Sequence, residues 1–102
     1  MPAVAVCGVD KISTGHACDA TALIQGNLQS KVTIGGNPVA VQGDLIVLHT
    51  IKEGSACVPH PGVVINEGSS KVSISGIAMA RIGDSADAGA IISGSSNVYA
   101  GG

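Results

Sequence analysis

The sequence predicts an all-β protein built from three hairpin units closed into a ring with pseudo-threefold symmetry. Three observations predict it. Lys31 to Asp44, KVTIGGNPVAVQGD, returns 40 positions later as KVSISGIAMARIGD, Lys71 to Asp84, with Lys, Val, Ile, Gly, Ala, Gly and Asp in matching places. Each copy alternates apolar and polar residues on either side of a Gly-containing turn, the pattern of a β-hairpin. A third copy is divided between the chain ends. Val4-Ala5-Val6-Cys7-Gly8 matches Val39 to Gly43 and Met79 to Gly83, while Gly94 to Val98 matches Gly68 to Val72. Reading VYAGG at the C-terminus into MPAVAVCG at the N-terminus restores VTIGGNPVAVQG, so the termini are expected side by side. Ring closure removes sheet edges that a chain with so few charges would otherwise expose.

Composition agrees. The 102 residues hold 15 glycines, a single Tyr (Tyr99), no Phe and no Trp, and the whole length, 1–102, reads as one small domain. The core is expected to be thin, made of Val, Ile, Leu and Ala, and in need of a staple. A net charge of −2 gives no sign of nucleic acid or of an anionic membrane surface as partner. No apolar run is long enough to span a bilayer, and MPAVAVCGVD lacks the basic start of a signal peptide. Three cysteines count against a fully paired disulfide framework, leaving metal binding or plain burial as the expected cysteine chemistry.

The units are expected to be rigid and the connectors between them chemical. Residues 11–23 and 45–62 are long connectors, and SADAGA, 85–90, is short. A turn of helix is possible only around Ala17 to Leu23; Pro59 and Pro61 exclude helix from the second connector. All three histidines, His16, His49 and His60, fall in connectors, where function usually sits. His16 follows Asp10 by six residues and His49 follows Asp44 by five, so two units place a His at nearly equivalent points. The third has Gly89 there. The second connector adds Cys57, three residues before His60. Imidazoles and a thiolate are what Zn²⁺ selects, and His16, His49, Cys57 and His60 would close one tetrahedral structural site, with Cys18 the lesser alternative for the thiolate.

The remaining polar residues read as structure. Cys7 lies on a hairpin strand and is expected to be buried. Asp44 and Asp84 follow Gly at sharp corners, where short carboxylates bind backbone N–H groups. Arg81 is expected to be a solvated or interface charge. There is no phosphate-cradling loop and no nucleophile–base pair. A hydrolase would use the His cluster with an open metal position and a base such as Asp19 or Glu53, which four protein ligands argue against; a metal-free adaptor is a third possibility.

GGNPVAVQGD and SGIAMARIGD resemble the motif of the PAAR-repeat family, and STGHACD at 13–19 and INEGSSKVSISGIAMARIGD at 65–84 resemble its phage-type branch. The resemblance covers essentially the whole chain, with a degenerate tetrapeptide (Pro38-Val39-Ala40-Val41 and Ala78-Met79-Ala80-Arg81) and no Cys in the third connector. It implies a small pointed cone whose base caps the blunt end of a trimeric β-helical spike, one copy per trimer. It also implies one Zn²⁺ near the apex, held by three His and one Cys, for which His16, His49, His60 and Cys57 are this chain's candidates. The expected role is a non-enzymatic, membrane-piercing tip with only transient target-membrane contact and no small-molecule substrate. The expected setting is the virion, at the tip of a contractile tail, or alternatively a type VI secretion spike.

Overall fold

The computed structural model describes residues 2–16, 18–26 and 28–101. Among them every regular element is a short strand: β1 (Lys11–Ser13), β2 (Thr21–Leu23), β3 (Thr33–Ile34), β4 (Asn37–Pro38), β5 (His49–Glu53), β6 (Ala56–His60), β7 (Ser73–Ile74), β8 (Ile77–Ala78), β9 (Ser85–Ala86) and β10 (Gly89–Ala90). They pair only as antiparallel neighbours, β1–β2, β3–β4, β5–β6, β7–β8 and β9–β10. The expected helical turn is absent from the described part of 17–23: Thr21–Leu23 pairs with β1, Lys11 opposite Leu23, and Ala17 lies outside the described residues.

Two of the repeat hairpins are β3–β4 and β7–β8. Their turns demand left-handed backbone, and Gly35 and Gly36 take φ of 61° and 87° where Ser75 and Gly76 take 52° and 81°. The third hairpin is formed by the chain ends. Ala3 pairs antiparallel with Tyr99, as Pro38 does with Thr33 and Ala78 with Ser73. The N–H of Val4 donates to the carbonyl of Val98 at 2.9 Å, matching Val39 to Val32 and Met79 to Val72, both at 3.0 Å. Met1 and Gly102, where the repeat is cut at its turn in sequence, lie outside the described residues.

The ring closes through the backbone. Ala5 N–H donates to Ala80 C=O at 3.0 Å, Ala80 to Ala40 at 2.9 Å, and Ala40 back to Ala5 at 2.9 Å. All three alanines have no accessible surface, and a methyl group suits a point where three backbones converge. Bridges Val6–Val39, Val41–Met79 and Val4–Arg81 join the same three units around the circle. One step along each chain comes the Gly-Asp corner. Asp10, Asp44 and Asp84 are buried, and each accepts a backbone N–H, from Val6, Val41 and Arg81, at 2.8, 2.7 and 2.8 Å. The corner role expected of Asp44 and Asp84 is the one they have.

Beyond the corners a second threefold layer forms. Ile24, Ile65 and Ile91 donate their N–H to Asp10, Asp44 and Asp84 carbonyls and bridge to Ile46, Ala86 and Ile12. All six are buried and belong to one cluster with the alanine ring; a second cluster, Val4, Val39, Val41, Ile74 and Ala100, fills the hairpin end. The core is thus a stack of thin layers in a body 42 × 23 × 22 Å. Thinness follows from composition, since there is no Phe or Trp and the single Tyr, Tyr99, is exposed.

Arg81 departs from the solvated role expected of it. It is 8% exposed, and its guanidinium holds Asp84 through Nε at 3.0 Å and Nη2 at 2.9 Å while Nη1 reaches the Gly101 carbonyl at 3.0 Å. The pair with Asp84 raises the guanidinium's pKa further. Sequence pattern places Arg81 in an apolar row; it is buried because it meets a corner carboxylate on one side and terminal carbonyls on the other. Cys7 is buried, as expected. Burial, with Asp44 3.6 Å from its sulfur, pushes the thiol up to about 12, so it is inert at neutral pH.

Candidate metal centre

The connectors that leave the isoleucine layer converge. His16 comes from the loop after β1, His49 opens β5, His60 ends β6, and Asp87 is the first turn residue between β9 and β10. His49 and His60 face each other across the β5–β6 ladder, which fixes their spacing by strand register. Close approach of the other two connectors depends on two glycines. A Cβ on Gly15 would lie 2.4 Å from the Ala88 carbonyl oxygen, and one on Gly89 would lie 2.0 Å from that of Ser13.

One ligand atom from each of His16, His49, His60 and Asp87 lies within 4.8 Å of all the others. Asp87 Oδ2 is the hub: His16 Nε2 is 2.7 Å away, His49 Nε2 2.8 Å and His60 Nδ1 3.7 Å. The three rings surround it with centroids 5.0 to 5.4 Å apart. His49 and Asp87 are nearly sealed, their side chains 3% and 7% exposed.

The donor chemistry fits a cation. His49 Nδ1 lies 3.0 Å from the Val47 carbonyl, which only accepts, so Nδ1 carries a proton. In a neutral imidazole that leaves a lone pair on Nε2, set against a carboxylate oxygen 2.8 Å away. Two acceptors at that distance require a shared proton or a metal ion between them. His60 Nδ1, on the inner side, has no hydrogen-bond partner although buried. The Val47 carbonyl is the kind of outer partner that would orient a histidine toward a metal ion. Three imidazoles and a carboxylate are donors that Zn²⁺ and its first-row neighbours accept.

Three of the four expected ligands are brought together: His16, His49 and His60. Cys57 is placed elsewhere. It is exposed and joined to Cys18 in a disulfide, with S–S 2.01 Å and Cα atoms 5.9 Å apart, and a disulfide sulfur has no thiolate to give. The lesser alternative, Cys18, is consumed in the same bond. The reason is the local structure of C-x-x-H. The pair lies on a strand, where residues three apart are about 10 Å from each other and point to opposite faces. Asp87 occupies the fourth place instead. It was missed because equivalence was counted to Gly89, whereas β9–β10 is a two-residue hairpin that reverses the chain earlier. The signal for it was Asp-Ala-Gly in a short connector, a turn sequence with an acidic residue at its tip.

Asp19, weighed as a general base, is committed to structure. Its Oδ2 accepts the Thr50 N–H at 2.7 Å and the Thr50 hydroxyl at 2.9 Å, and these bonds hold its carboxyl below the usual range. Glu53 ends β5 on an exposed hairpin tip.

The fold and site thus define a closed, pseudo-threefold all-β body with a histidine–carboxylate cluster among its connectors. The family model described as PAAR motif matches residues 54–102, which supports the PAAR-repeat family and a spike-tip protein of contractile injection systems. No curated protein matches the chain as a relative.

Proposed function

We propose that the protein is a non-enzymatic tip that caps one trimeric β-helical spike, with a metal ion stapling its apex. The observation that carries this is the closed backbone ring of Ala5, Ala40 and Ala80 with the His16, His49, His60 and Asp87 cluster beyond it on the connector side. A monomer that repeats its own backbone three times offers three similar faces, the shape a true trimer can seat once. The hairpin end carries exposed Val32, Val98 and Tyr99, apolar groups available to a partner.

The ion is Zn²⁺ or a close first-row neighbour, held by His16, His49, His60 and Asp87. When bound it neutralises the Asp87 carboxylate and ties three connectors together, contributing folding free energy on the order of ten kcal/mol, which a core of thin layers lacks. The machine is a contractile phage tail, favoured by the phage-type phrasing of STGHACD and INEGSSKVSISGIAMARIGD; a type VI secretion spike uses the same module. At work the tip touches a target membrane only in passing. Co-expression with a trimeric β-helical spike protein from neighbouring genes tests the reading. One tip per trimer on native mass spectrometry supports it, and no complex, or three tips per trimer, contradicts it. Whether those genes encode a tail or a secretion apparatus decides the machine.

A further inference from the structure

The two cysteines outside the core have no part in the cluster, yet their bond connects the elements that build it. Cys18 lies two residues after His16, and Cys57 lies on the strand that ends at His60. Cys18 also bridges to Ile51 on β5, the strand that begins at His49. The bond therefore fastens the loop carrying His16 to the hairpin carrying the other two histidines. Among the described residues the hydrogen bonds there are the Asp19–Thr50 pair and one long backbone bond from Asp19 N–H to the Thr50 carbonyl at 3.3 Å. Both half-cystines are exposed, so a soluble reductant can reach them.

We propose that the Cys18–Cys57 disulfide is a redox clasp on the metal centre. Oxidised, it holds His16 in register with His49 and His60; reduced, it frees the loop and the cluster holds its ion more weakly. The step is ordinary thiol–disulfide exchange. A dithiol reductant supplies two electrons and two protons, the S–S bond breaks to two S–H groups, and the dithiol leaves as a disulfide. Linkage is reciprocal, so a bound ion makes the disulfide harder to reduce by the factor that oxidation tightens the ion. With the fourth ligand a carboxylate and the third cysteine sealed, oxidation takes nothing from the cluster. Such a site suits a protein assembled among thiols and used in an oxidising exterior.

The metal half of this inference rests on the staple reading above, and the experiment separates the two. Amide hydrogen exchange at Asp19 and Thr50, in metal-free protein, compares the oxidised form with the phosphine-reduced form and with the C18S/C57S variant. Faster exchange is expected in both forms that lack the bond; unchanged exchange overturns the clasp whether or not metal binds. Co²⁺ titration of the same three samples reads the coupling. The oxidised form is expected to bind about tenfold more tightly than the other two, within the usual range of coupling between sites. Equal affinities overturn the coupling, as does tighter binding in the reduced form with a thiolate charge-transfer band absent from C18S/C57S. Loosened exchange with no Co²⁺ uptake in any sample leaves the clasp standing and overturns the staple instead.

Discussion

Asp87 Oδ2 lies 2.8 Å from Nε2 of His49, whose other ring nitrogen already donates to Val47. A carboxylate and an imidazole held in this way need a proton or a metal ion between them. Asp87→Asn keeps the size and removes the charge, and His49→Ala removes the most buried ring. Each is expected to lower Co²⁺ or Zn²⁺ affinity by at least roughly tenfold, since even outer partners of a metal contribute that much. Isothermal titration checks this, and wild-type affinity in Asp87→Asn would remove Asp87 from the ligand set.

Arg81 is the chain's buried cation, and the loss of one partner strands the other. Arg81→Ala leaves the Asp84 carboxylate with its backbone donor alone and the Gly101 carbonyl with only the Ser69 hydroxyl. A destabilisation of about 3 kcal/mol is expected in urea titrations. A loss below about 1 kcal/mol would mean that water replaces the guanidinium without difficulty.

The Cys18–Cys57 bond closes a loop of sequence separation 39. By chain entropy its removal costs about 4 kcal/mol, a figure that depends on that account of disulfides. Denaturation of C18S/C57S against the oxidised wild type, both metal-free, gives the value directly. Equal midpoints would show that the hairpin is held without it.

Asp19 has a depressed carboxyl pKa because the Thr50 N–H and hydroxyl both bind its anion. A group depressed by folding contributes stability above its unfolded pKa and loses it as pH falls through the folded one. The clip is therefore expected to hold at neutral pH and to open only below the ordinary carboxylate range. The Thr50 amide shift, followed by NMR from pH 7 downwards, reports this; Asp19→Asn is expected to flatten that transition. A Thr50 transition that survives Asp19→Asn would assign it to another group.

Gly89 is glycine for space, since a Cβ there would lie 2.0 Å from the Ser13 carbonyl oxygen. Backbone cannot step aside as a side chain does, so Gly89→Ala is expected to cost about 1–3 kcal/mol and to part the first and third connectors. Thermal melts and metal affinity are expected to fall together. A neutral substitution would show that the two connectors yield at this contact.

The ring was legible because repetition is a property of sequence. KVTIGGNPVAVQGD and KVSISGIAMARIGD display their equivalence directly, and Val4 to Gly8 aligns with both; hence the alanine ring and the Asp corners follow from alignment alone. His16 and His49 were legible for the same reason, since they stand at nearly equivalent points of two units. What was hidden depends on connector geometry, which no repeat constrains. Cys57 and His60 look like one ligand pair until the strand separates their faces, and Asp87 looks like linker until a tight turn brings it inward. Arg81 was misread because its partners, Asp84 and the terminal carbonyls, meet only after the ends close.

The central claim is that the cluster of His16, His49, His60 and Asp87 holds an ion that staples the apex. Elemental analysis of protein purified without added metal, with thermal melts before and after exhaustive chelation, tests it most directly. The account predicts close to one equivalent of zinc or a neighbouring first-row metal, a markedly lower melting temperature after chelation, and recovery on adding the metal back. Metal-free protein whose melting temperature ignores both chelator and added metal would contradict it.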